Sequence, residues 1–144
     1  MKFGKIAHIG IVVRDLEKAV SIFEERLGIK PFELDNPEPF FDTMNVSGGR
    51  GLKIRTATYR GGDCEIELVM PTGEGLYMDW LNTRGPGLHH IKFDSEDSYE
   101  AIVGTASQIS GRPPYLEVRQ PDGTPLVAYA DLLEEAGLLL EVNS

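Results

Sequence analysis

A chain of 144 residues with 41% hydrophobic and 26% charged side chains has the length of about one domain and enough apolar content to bury a core. Its 14 basic and 23 acidic residues give a formal charge of −9, a surface that repels phosphate backbones and excludes a nucleic-acid-binding role. No apolar run approaches the roughly 18 residues of a membrane span, the first residues lack a signal-peptide pattern, and Cys64 has no second cysteine to pair with, so a cytoplasmic setting with no membrane partner is expected.

Residues 5–13 alternate and are rich in β-branched side chains, which predicts a strand. Asp15 stands where a helix N-cap belongs. Leu16, Ala19, Val20, Phe23 and Leu27 follow at helical spacing, and Gly28 ends the run. Strands are predicted at 30–34, 52–59 and 64–70, the last two joined by the turn Gly61-Gly62-Asp63. The stretch Ser47-Gly48-Gly49-Arg50-Gly51 reads as a mobile turn and is too weakly patterned for a phosphate loop. Segment 72–86 is a linker with a helical turn or more around 77–81. A strand at 88–94, a helix at 97–109 and strands at 115–119, 126–130 and 138–142 follow, with Pro121-Asp122-Gly123 as a hairpin turn.

The two halves repeat one plan. His8-Ile9-Gly10-Ile11 with Asp15 and Ala19 matches His90-Ile91-Lys92-Phe93 with Asp97 and Ala101 at one constant separation. Ile66-Glu67-Leu68 matches Leu140-Glu141-Val142 at a slightly shorter one, as tighter connections in the second half require. The expected class is α+β: one domain over 1–144, built of tandem βαβββ modules at about 5–71 and 87–143 whose strands form a cupped mixed sheet.

Alternate strand residues share a face. Ile9, Ile11 and Val13 form the apolar row toward a helix, which turns His8 and Gly10 to the other side. The same parity puts Ile91 and Phe93 under the second helix, leaves His90 on the far face and sends His89 inward as a core residue. Glu67 and Glu141 lie opposite the rows Ile66, Leu68, Met70 and Leu138, Leu140, Val142. A lone histidine or glutamate on a strand is usually structural or solvated. Two of each in matching positions of a duplicated fold point instead to one metal site, His8, Glu67, His90 and Glu141, once the sheet curls. Imidazole and carboxylate donors suit one divalent ion of the Co, Ni, Zn, Mn or Fe group.

These residues resemble the vicinal oxygen chelate superfamily, which includes glyoxalase I, extradiol dioxygenases and bleomycin-resistance proteins. The resemblance is strongest to its methylmalonyl-CoA epimerases. It rests on Ala7-His8-Ile9-Gly10-Ile11-Val12-Val13, Glu65-Ile66-Glu67-Leu68-Val69-Met70-Pro71, Trp80-Leu81, Gly87-Leu88-His89-His90-Ile91 and Leu139-Leu140-Glu141-Val142, and so covers nearly the whole chain. It implies a glyoxalase-like fold with His8, Glu67, His90 and Glu141 on the family's four ligand positions.

The resemblance further implies an isomerase or lyase that moves a proton α to a carbonyl through a metal-stabilised enolate, as an epimerase does. Glu141 is then the first candidate for the base and Glu67 the second. The expected partner is a small carbonyl compound, an acyl-CoA thioester among the candidates. Lys92, on the His90 face, is a candidate substrate-binding cation; Lys53 and Arg55 read equally well as substrate contacts or as solvated charges. A glyoxalase I-type lyase acting on a thiol hemithioacetal shares the same ligand set, and a metal-free binding protein is the alternative from another class. Homodimerisation is also expected from the resemblance.

Overall fold

A computed structural model describes residues 1–144. Strand β1 (Phe3–Val12) leads into α1 (Leu16–Ser21), which continues as a π-helical turn over Ile22–Arg26. The Asp15 side chain accepts a hydrogen bond from the Lys18 amide at 3.0 Å, so this helix starts at the expected cap. Strand β2 (Phe32–Asp35), the short helix α2 (Glu38–Phe41) and a hairpin of β3 (Asn45–Val46) and β4 (Gly49–Arg50) follow. Strands β5 (Ile54–Tyr59) and β6 (Glu65–Pro71) close the first half, and α3 (Leu76–Arg84) occupies the linker. The second half holds β7 (Gly87–Ser95), α4 (Tyr99–Ser110), β8 (Leu116–Arg119), β9 (Pro125–Leu132), α5 (Leu133–Ala136) and β10 (Leu138–Asn143). No helix is long and apolar enough to cross a membrane.

All ten strands join one mixed sheet in the order β2-β5-β6-β1-β7-β10-β9-β8-β3-β4. The first strands of the two halves, β1 and β7, pair antiparallel at its centre, and each is flanked by a parallel partner, β6 and β10 respectively. The β3–β4 hairpin, expected only as a turn, leaves its own half and pairs Val46 with Val118 of β8. Helix α4 begins later than predicted because Ser98, whose hydroxyl takes the Ala101 amide at 3.1 Å, is the cap. Asp97 instead receives the Lys2 amide at 2.9 Å.

Apolar burial divides into three clusters. One, around Leu16, Phe32, Ala57 and Leu68, packs α1 on the first half. A second, around Tyr99, Ile102, Ala128, Leu140 and Val142, packs α4 on the second half. The third lies on the opposite face and gathers Val12, Ile54, Val69, Leu116, Val118, Tyr129 and Leu139 from both halves. Strands far apart in the sheet order can share that cluster only because the sheet curls around it.

Candidate metal centre and its cavity

The inner row of β1 runs His8, Gly10, Val12, with Ile11 and Val13 packed on the α1 side as expected. Gly10 pairs with Glu67 on β6 and with His90 on β7, so the glycine is flanked by two of the predicted ligands. A Cβ at residue 10 would overlap the His90 imidazole, which therefore lies across the bare backbone of Gly10. On β10, Leu138, Leu140 and Val142 pack with α4, which turns Leu139 and Glu141 to the inner face.

The curl brings the donors together. Oε2 of Glu141 lies 2.7 Å from Nε2 of His8 and 3.0 Å from Nε2 of His90, and the two imidazole nitrogens are 3.2 Å apart. These three atoms form a mutually close set, and Oε1 of Glu67 sits 3.5 Å from Nε2 of His90. His90 is fully buried, whereas the Glu67 side chain is 30% exposed. Burial alone would lower the His90 pKa, but its hydrogen bonds to Glu141 and Glu67 outweigh that and raise it to about 9. Burial acts on Glu141 in the opposite sense, and bonds from His8 and His90 hold its carboxyl well below the usual carboxylate range.

The donor set fits a divalent ion. Two donors about 2.1 Å from one ion and at right angles to each other are about 3.0 Å apart, and the observed spacings of 2.7, 3.0 and 3.2 Å bracket that edge. Two histidines and Glu141, a carboxylate held ionised, with the Glu67 carboxyl beside them, are the right chemistry for such an ion.

His89 departs from the simple parity of a strand. Opposite β1, Gly10 faces His90 while Ile11 faces Leu88, so β7 carries one extra residue, a β-bulge at His89. The bulge turns His89 away from the α4 side. It is buried, as expected, but among Tyr77, Trp80, Tyr115 and Tyr129 on the inner side, with Nδ1 2.9 Å from Nδ1 of His90. Burial lowers its pKa to about 3, so this imidazole is neutral.

A cavity of about 590 Å³ opens beside the centre and is lined by Glu67, Glu141, Tyr77 and Tyr129 together with apolar residues of β5, β8 and β9. The hydroxyls of Tyr77 and Tyr129 are 2.5 Å apart, and burial pushes both phenol pKa values well above normal. Neither tyrosine is among the residues that the sequence pattern singles out. Tyr129 does carry a signal, since Ala128 and Ala130 face α4 and leave the residue between them on the inner side. Tyr77, in the linker helix, carries no such signal.

The structure does not bring the three candidate substrate cations to this cavity. Lys53 pairs with Asp42 at 3.5 Å, and Arg55, on the helix side of β5, pairs with Glu17 of α1 at 2.7 Å. Lys92, half-buried opposite His8 on the central strand pair, is outside the lining. Arg60 is the cation that lines it, and Glu33 at 2.7 Å and Glu65 at 3.4 Å hold its guanidinium.

A sequence profile of the glyoxalase/bleomycin resistance protein/dioxygenase superfamily matches residues 7–112, and the chain belongs to that family. At the level of particular proteins, it is 26% identical over 143 residues to the uncharacterised protein YqjC of Bacillus subtilis (strain 168), covering 96% of this chain and 91% of that protein. Its fold is similar to that of Streptomyces coelicolor methylmalonyl-CoA epimerase bound to 2-nitronate-propionyl-CoA, with a TM-score of 0.66, 21% identity, and 97% and 96% of the two chains covered. It is also similar to a methylmalonyl-CoA epimerase in complex with methylmalonyl-CoA and ammonium, with a TM-score of 0.63, 22% identity and coverage of 97% and 93%. The shared architecture is a glyoxalase-like α+β fold.

Proposed function

We propose that this protein is a divalent-metal-dependent enzyme of epimerase type that moves a proton on the carbon α to a carbonyl, with a short acyl-CoA thioester such as methylmalonyl-CoA as substrate. The observation that carries this reading is the mutually close trio His8, His90 and Glu141, with Glu67 beside it on the cavity wall. The acyl-CoA ligands named for the structural neighbours support the substrate class. In this reading the modules 5–71 and 87–143, with 72–86 between them, work as one domain, because each contributes one histidine and one glutamate.

His8, His90, Glu141 and Glu67 would hold the ion, which when bound supplies a Lewis acid that polarises the substrate carbonyl and acidifies the adjacent C–H. Glu141, largely buried and engaged by two imidazoles, has little freedom to turn toward a substrate C–H. Glu67 is better placed to accept the proton, since it contacts one imidazole only, is partly exposed and faces the cavity. The base assigned here is therefore Glu67 ahead of Glu141. Tyr77 and Tyr129 line the same space, and because one hydroxyl donates to the other, the second keeps its O–H to donate to a substrate oxygen.

Proton exchange at the α-carbon of methylmalonyl-CoA in deuterated buffer, with cobalt-reconstituted protein, tests the reading. Exchange that stops on chelation, with one diastereomer converting to the other, is expected. Turnover of a methylglyoxal–thiol hemithioacetal in place of exchange would substitute a lyase, for which His-Glu-His-Glu is equally a ligand set. No metal by elemental analysis and no rise in melting temperature with Ni or Co would replace both with a metal-free binding protein.

A further inference from the structure

We infer that His89 is a positioning residue for the metal centre: its Nδ1 accepts a hydrogen bond from Nδ1–H of His90 and so fixes His90 with Nε2 presented to the ion. This rests on the metal reading above and adds to it a residue outside the ligand set. The four rings form a closed box. His89 stacks on Tyr77 at 4.6 Å and 23°, and His90 stacks on Tyr129 at 4.6 Å and 20°. The two stacks are joined on one side by the 2.9 Å contact between the Nδ1 atoms and on the other by the 2.5 Å contact between the tyrosine hydroxyls.

An imidazole that ligates through one nitrogen carries its proton on the other, and a fixed acceptor there sets both tautomer and ring orientation. His90 turns Nε2 to Glu141, Glu67 and His8, so its proton belongs on Nδ1, where His89 is the partner. His89 then bears its own proton on Nε2, and that nitrogen is buried with no partner. A buried donor without a partner is costly. Packing alone would favour phenylalanine here, so the polar ring and the bulge that places it are explained by what Nδ1 does for His90.

His89→Phe keeps the aromatic box and removes the acceptor. One buried nitrogen is unpartnered before the change (Nε2 of His89) and one after (Nδ1 of His90), so the metal-free protein should melt close to the wild type. Its cobalt and zinc affinity, measured by chelator competition, should fall about 10- to 100-fold. His89→Asn, whose carbonyl oxygen can take the place of Nδ1, should recover most of that loss. In the zinc-loaded wild type, long-range proton–nitrogen NMR should find His89 protonated on Nε2 and bare on Nδ1, a readout that needs no variant. Equal affinities for wild type and His89→Phe, or a protonated Nδ1 on His89, would overturn the assignment while leaving the metal reading intact. A wild type with no affinity for either ion would overturn both.

Discussion

Gly10, like His89, supports the centre without contributing a donor to it. It pairs with Glu67 and His90, and His90 occupies the volume that any Cβ there would need. Gly10→Ala should therefore displace the fully buried imidazole, weakening metal binding sharply and costing about 1–3 kcal/mol by denaturant unfolding, the usual range for overpacking. The two glutamates should separate by phenotype. Glu141→Gln should lose the metal, whereas Glu67→Gln should keep measurable metal affinity and lose α-proton exchange. The opposite pattern would return the base to Glu141. The histidines set a pH signature for the metal-free protein. His90 has its folded pKa raised from 6.5 to about 9, so its contribution is complete below 6.5 and is lost as pH rises through about 9. His89, lowered to about 3, is neutral when folded and binds a proton when unfolded, so its contribution falls as pH drops below 6.5. Stability of the metal-free protein should peak between these flanks, near pH 6.5, in melting scans across buffers.

At the scale of elements, the strands and helices that carry the repeat are legible in the sequence because each has one apolar face. β1, β6, β7 and β10 differ from expectation by only a residue or two at their ends, and Glu67 and Glu141 face away from the helices as their rows require. What the pattern does not show depends on contacts distant in sequence. The bulge in β7 leaves no mark in the alternation, so parity gives His89 its burial but the wrong face. The β3–β4 hairpin is two residues per strand and gains its place only by pairing with β8. Arg55 sits on a strand whose inner face holds Ile54 and Thr56, and Lys53 just precedes that strand; charge type alone does not reveal that both find acidic partners away from the cavity. Local capping is separable from these long-range features. Ser98→Ala removes the hydroxyl that caps α4 and should cost about 1 kcal/mol by denaturant unfolding, with metal affinity unchanged.

For the whole molecule, the central strand pair raises the question of association. α1 packs on β5 and β6, and α4 on β9 and β10, so β1 and β7 run between the two helical layers. Along this pair and the chain start, Met1, Phe3, Ile6 and Leu88 are exposed at 57%, 40%, 36% and 53%. These are four of the nine large apolar side chains exposed in the chain, spread from the Phe3–Ser95 end of the pair to its Ile11–Leu88 end, and they offer a strip for self-association. A homodimer is the expected state in sedimentation equilibrium, and Phe3→Glu with Leu88→Glu should shift it to monomer. The site itself does not depend on that state, because His8, Glu67, His90 and Glu141 approach one another within a single chain. The monomeric double variant should therefore bind cobalt as tightly as the wild type. If affinity instead falls together with the dimer, the partner copy completes the centre, and a four-donor site within one chain is the wrong description. A wild type that stays monomeric at all concentrations would remove the association surface and leave the centre untouched.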